Sequence, residues 1–196
     1  MQIEILYDHY KDTFEQIKIY IKRRNTCTII ILCLVVFLSF QVSNQELANS
    51  ISDEVIKKNI GDIKINFEYI KTAFYISLLF FLSTYYRTVL TIENQYKYIH
   101  EIEEKLSKNI SHFKIEREGK SYLNHYPLLL NVIDKLYTIF FPSSIIILSL
   151  FNWLIEKRVM DYCSWNFWLN SIILLCIIIV SLLYLSHRHF NDFKKK

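Results

Sequence analysis

The side chains in this chain most able to do chemistry are three histidines and three neighbouring acids. His100, His112 and His125 fall in one polar stretch with Glu101, Glu103 and Glu104 beside the first of them. Imidazole and carboxylate together suit a transition-metal ion, but the spacings of 12 and 13 residues match no ligand signature, in which donors recur within a helical turn or a short knuckle. These residues, and His187 and His189 beside the C-terminal lysines, read as solvated surface groups. Cys27, Cys33 and Cys176 lie in or at the edge of apolar blocks, Cys163 lies alone in a polar gap, and no CxxC pair exists, so packing is favoured over redox or metal chemistry. There is no GxSxG, HExxH or glycine-rich phosphate loop, and two glycines in 196 residues leave little room for one. No catalytic, cofactor or metal residue is assigned, and the chain is expected not to be an enzyme.

The elements that hold these residues are apolar. The composition is 52% hydrophobic with only 2 Gly and 2 Pro, and the 21% charged residues crowd between four apolar blocks. That layout predicts an all-α integral membrane protein with four transmembrane helices, at 26–43, 67–90, 137–155 and 168–186. Each block approaches the roughly 20 residues a helix needs to cross a hydrocarbon layer of about 30 Å. A cleaved signal peptide is a poor alternative for the first block, because about 25 residues with four acids precede it.

Lys and Arg set the orientation. Residues 1–26, 87–135 and 187–196 hold 17 of them, against 6 in 44–71 and 155–167, which puts both termini and the middle loop in the cytoplasm. Trp153, Trp165 and Trp168 then fall at the outer interface. The extramembrane segments are a cytoplasmic amphipathic helix at 1–25, an outer loop with a short helix at 44–66, a cytoplasmic stalk and hairpin at 91–136, a second outer loop at 156–167 and a basic tail at 187–196.

In the first segment Leu6, Tyr10, Phe14, Ile17 and Ile21 recur at helical spacing, with charges between them, and Lys22, Arg23 and Arg24 close it. Such a helix lies on the inner leaflet or packs on a partner, which could be another copy of the chain. In the outer loop, Ser52 can cap a short helix that Gly61 stops. Past the second span, Glu93 with Lys97, Glu101 with Lys105 and Glu104 with Lys108 are i,i+4 pairs that support a solvated helix, while Ile92, Tyr96, Ile99, Leu106 and Ile110 make an apolar stripe. The second span is therefore expected to continue as one helix of about 40 residues, with Ile92, Tyr96, Ile99 and Leu106 as a partner-binding stripe. HFKIEREGKSYLNHYP reads as a small β-hairpin turning at Gly119, and Pro142 is expected to kink the third span.

Inside the spans no Asp, Glu or Lys is placed at hydrocarbon depth, which counts against a proton-coupled transporter. Arg87 is the one charge near the inner boundary, and anchoring is preferred to gating for it. Ala73, Ser77, Thr84 and Thr88 share one face of the second span. They suit close helix packing or, in a homo-oligomer, a weakly polar pore with Ser143 and Ser144 nearby.

The stretch YRTVLTIENQYKYIHEIEEKL followed by IEREGKSYLNHYP resembles small multi-pass membrane proteins of bacterial anti-phage systems, namely the retron-associated transmembrane effectors and the membrane subunit of Kiwa. The resemblance covers about residues 85–140 and the four-span layout, and no functional residue carries over from it. It implies a protein of the bacterial inner membrane controlled by a cytoplasmic protein or ribonucleoprotein partner encoded nearby; there is no direct nucleic-acid motif. The expected function is that of a membrane effector in antiviral defence which, when its partner releases it, perturbs the inner membrane in abortive infection. The alternative is a non-toxic membrane sensor or scaffold that recruits a cytoplasmic effector.

Overall fold

The structure, a computed structural model, describes residues 2–43, 47, 50, 54, 57, 58, 67–109, 132, 135–159 and 164–193. Four helices dominate: α1 (Gln2–Ser43), α2 (Phe67–Asn109), α3 (Phe141–Val159) and α4 (Trp165–Phe193), with a π-helical turn at Leu136–Phe140 leading into α3. Among the described residues there is no strand. The expected hairpin around Gly119 lies outside them. So does most of the short outer-loop helix, of which Glu54, Lys57 and Lys58 are described and helical. Each of the four blocks lies in a helix long and apolar enough to cross a membrane.

Two of these helices are longer than a span requires. α2 runs 43 residues without interruption, close to the length expected from its i,i+4 pairs, and one of them, Glu104 with Lys108, closes at 2.8 Å on the surface. α1 runs 42 residues, so the amphipathic segment and the first apolar block form one helix with no break between them. Nothing in 22–26 would stop it, since Lys22, Arg23 and Arg24 are good helix formers and no Gly or Pro follows.

Pro142 acts as expected of a residue that cannot donate to the carbonyl four positions back. The chain meets it by widening the preceding turn, at Leu136–Phe140, into a π-helix. Ser143 donates to the Ile139 carbonyl at 2.7 Å and Ser144 to the Phe141 carbonyl at 2.7 Å, which satisfies carbonyls around the disturbed turn.

The chain divides into two compact units. The first comprises Met1–Thr28 and Thr84–Lys135, the second Ile29–Ser83 and Leu136–Lys196. In the first, buried side chains of α2 include Tyr85, Thr88, Ile92, Ile99, Ile102 and Leu106, at steps of three, four and seven, with Tyr86 and Glu103 buried beside them. On α1 the inward positions Tyr10, Thr13, Ile17, Tyr20, Arg24 and Cys27 follow the same steps. Both helices thus turn one face of this pattern into the interior of the first unit. The Tyr10 hydroxyl donates to Glu103 Oε1 at 3.3 Å, holding the two seams together.

The second unit reverses the arrangement. Large apolar side chains point outward, among them Ile29, Val36, Phe80, Ile147, Ile172 and Leu183. Apolar surface of that extent is unfavourable in water and is what a bilayer solvates. Trp165 and Trp168, 78% and 57% exposed, carry their rings on the outside at the start of α4, and Lys157 Nζ lies 5.5 Å from the Trp153 ring near the end of α3. The interior contains Tyr75, Leu82, Leu174 and Ile177, together with a set of polar side chains.

Candidate functional site: a buried polar cluster in the helical bundle

Within the second unit, three helices each turn polar residues inward at helical spacing. α2 contributes Glu68, Lys71, Thr72 and Tyr75, which lie at i, i+3, i+4 and i+7 and so share one face. α3 contributes Ser149, Asn152 and Glu156, and α4 contributes Asn166 and Asn170. Glu156 is 2% exposed and Asn170 0%.

Lys71 Nζ forms an ion pair with Glu156 Oε1, its side chain 14% exposed against 1% for the glutamate. Asn170 Nδ2 donates to the same oxygen at 3.4 Å. The Thr72 hydroxyl donates to Asn170 Oδ1 at 2.7 Å, with the Glu68 carbonyl 3.0 Å away as its other acceptor. The links therefore form a closed circuit from α2 through α4 to α3 and back to α2. A fourth bond, from Asn166 Nδ2 to Glu68 Oε2 at 2.8 Å, ties α4 to α2 one turn further along. Lys71 Nζ also stands 5.9 Å from the centre of the Tyr75 ring, within reach of its electron-rich face.

Some oxygens in the cluster have no hydrogen bond. Glu156 Oε2, Tyr75 OH and Asn152 Oδ1 are buried without a hydrogen-bond partner. The Tyr75 hydroxyl faces the Glu156 carboxylate closely enough to interact with it directly. Tyr75 and Asn152 also border a small, mostly apolar cleft with Ser39, Ser149, Leu38 and Ile145, which holds about 10 Å³ and is not lined by Glu156. That is about the room one water-sized species needs.

Span boundaries set by charge do not reveal this cluster. Ending the third span at Ile155 leaves Glu156 in the outer loop, and Lys71 counts among the outer-loop cations, whereas in the structure both side chains turn inward and pair. The signal was present in the recurrence of Glu68, Lys71, Thr72 and Tyr75 on one face, and in the i,i+4 spacing of Asn152 with Glu156 and of Asn166 with Asn170.

The residues singled out from sequence lie elsewhere. On the small-residue face, Ala73 is exposed, Ser77 and Thr84 are half-buried and Thr88 is buried. The Ser77 hydroxyl donates to the Ala73 carbonyl at 2.8 Å and the Thr88 hydroxyl to the Thr84 carbonyl at 2.7 Å, so both bond within their own helix. On the stripe, Ile92, Ile99 and Leu106 are buried within the first unit and Tyr96 is half-buried. Arg87 is exposed. His100 is half-buried, while His112 and His125 lie outside the described residues. Among the described residues, no group of three or more His, Cys, Asp and Glu side chains is placed to hold a metal ion. Cys27, Cys33 and Cys176 are free thiols.

No family model, curated protein or solved structure matches the chain.

Proposed function

We propose that the chain is a multi-pass protein of the bacterial inner membrane, with both termini in the cytoplasm, and that it serves as the membrane effector of an antiviral system. In this reading a cytoplasmic partner restrains it, and on release it perturbs the membrane and aborts infection.

The observation that carries the proposal is the second unit's reversal of polarity. An ion pair, two asparagines and several hydroxyls are enclosed by helices whose outer surface is apolar. A bundle built this way sits in lipid without offering ions a path, yet it already contains the polar groups that a path would need. The small-residue face supports assembly, because Ala73 is exposed and Ser77 only half-buried, leaving that face open to a second copy. The expected partner-binding stripe at Ile92, Ile99 and Leu106 is buried within the first unit, so in either reading a partner meets another face.

Expression of the chain without its partner is the test. A potential-sensitive dye should report depolarisation of the inner membrane before growth stops, and Ser77→Leu with Thr84→Leu should relieve it at equal protein level and oligomer size. Reporter fusions at Lys108 and at the C-terminus should read cytoplasmic, those at Asn59 and Cys163 external. A normal membrane potential on expression alone would leave the sensor or scaffold as the better account.

A further inference from the structure

Toward the edge of the first unit, α1 and α2 carry cations and no acids. From Gln16 to Ser43 α1 has Lys18, Lys22, Arg23 and Arg24 without an aspartate or glutamate, and from Tyr69 to Ile92 α2 has Lys71 and Arg87 without one. Lys22, Arg23 and Arg87 are exposed, and among the described residues none of these three side chains forms an ion pair or a hydrogen bond. Arg24 is half-buried and donates from Nε and Nη2 to Asn25 Oδ1 at 3.2 and 3.1 Å, a neutral acceptor that leaves its charge uncompensated. From the Tyr10–Glu103 bond, α1 rises about 20 Å to Arg23 and α2 returns about 24 Å to Arg87, so the cations of the two helices lie near one level.

These charges also close exposed apolar stripes. On α2, Ala73, Ile76, Phe80, Ser83 and Arg87 follow one another at steps of three and four, share one face and are all exposed. On α1, Lys22, Ile29 and Val36 recur at seven-residue spacing, and Ile29 and Val36 are 63% and 67% exposed. A cation at the end of an apolar stripe matches a molecule built the opposite way, with an anionic head on an apolar tail. A nucleic acid or an acidic protein would meet the cations and find nothing to lay along the stripes. We propose that Lys22, Arg23 and Arg87 bind the phosphate of an anionic phospholipid, whose acyl chains lie along these stripes. Guanidinium groups suit the task because they fork onto phosphate oxygens.

The site rests on the membrane-spanning reading and is independent of the defensive role. The measurement is native mass spectrometry of the full chain in detergent with phosphatidylglycerol or phosphatidylcholine added, read as the ratio of their apparent affinities. Wild-type protein should prefer phosphatidylglycerol, and Arg23→Gln and Arg87→Gln should each lower that preference about fivefold. Arg23→Lys with Arg87→Lys keeps both charges and should retain most of it. Lys11→Gln with Lys97→Gln removes two exposed charges farther from the edge and should leave it unchanged. Inorganic phosphate in excess, with ionic strength held constant by chloride, should not displace the lipid, because it has no tail. No preference in the wild type would overturn the site. So would an equal loss in Lys11→Gln with Lys97→Gln, which would mean diffuse charge only, or displacement by phosphate, which would mean an anion site without a lipid. Resistance to alkaline extraction from membranes is read on the same proteins. If they resist extraction and the glutamine variants keep the preference, the site fails and the membrane reading stands; extraction of the wild type would overturn both.

Discussion

α2 passes from one kind of interior to the other within a single uninterrupted helix. Over Thr72–Leu82 its inward side chains are Thr72, Tyr75, Leu78 and Leu82, set beside the Glu156 pair, while Ile76 and Phe80 face out. Over Tyr85–Leu106 the inward side chains include Ile92, Ile99, Ile102 and Leu106 with Tyr85, Tyr86, Thr88 and Glu103, and exposed ones such as Lys97, Glu101 and Glu104 are charged. Backbone geometry is the same throughout, so the difference lies in what each surface is matched to. Where the surroundings are water, apolar contact holds helices together. Where they are lipid, apolar contact discriminates little between neighbour and solvent, and hydrogen bonds, close packing and buried charge take over.

The sharpest way to break that contrast is at the charge pair. Glu156→Ala should lower unfolding free energy by about 3–5 kcal/mol, because Lys71 would be left buried and unpaired. Replacing both with apolar residues of similar volume, Lys71→Met with Glu156→Leu, should recover most of that loss. A double variant no better than the single would show that the rest of the circuit depends on the carboxylate. Detergent-resistant unfolding monitored by circular dichroism gives the comparison.

In the first unit the matching experiment is Leu106→Ala, expected to lose about 2–5 kcal/mol by opening a cavity where that side chain is buried. The loss should appear as faster proteolysis of the segments in the first unit, with membrane insertion unchanged. If the digestion pattern does not move, the seam contributes less than its burial suggests. Thr72→Val tests the bond to Asn170 and should cost only about 0.6 kcal/mol, and no more than about 1.7, since hydrogen bonds between helices in membranes are modest. The smallest effect belongs to the surface pair. Glu104→Ala should change stability by about 0.3–0.5 kcal/mol and only at low salt; a larger change would mean that Glu104 has a further role in the first unit.

The sequence made the helices legible and left their mutual arrangement hidden. Blocks of apolar residues announce spans directly, and i,i+4 pairs such as Glu104 with Lys108 announce the continuation of α2, because both are local along the chain. The π-turn before Pro142 was half visible: the proline predicts a disturbance but not its form. The heptad positions of the first unit were partly read. Ile92, Ile99 and Leu106 stood out, whereas Tyr85 and Ile102 did not, and what the stripe packs against depends on the fold of the same chain. The polar cluster was missed for a more general reason. Glu156 and Lys71 are 85 positions apart, and whether an acid at the end of a span faces solvent or its neighbours is decided by rotation about the helix axis, which a count of charges along the sequence does not register.

The hydroxyls of the second unit bear on how such a bundle could move. Ser77, Ser83 and Ser143 each bond to a carbonyl of their own helix, and Asn152 Nδ2 does the same to Leu148. Bonds of that kind travel with the helix that makes them, so sliding or turning one helix against the next leaves them intact. The circuit through Thr72, Asn170, Glu156 and Lys71, with its neighbour from Asn166 to Glu68, reaches across instead. Mechanically that circuit acts as a clasp between rods, and sliding one of these helices against the next has to open it.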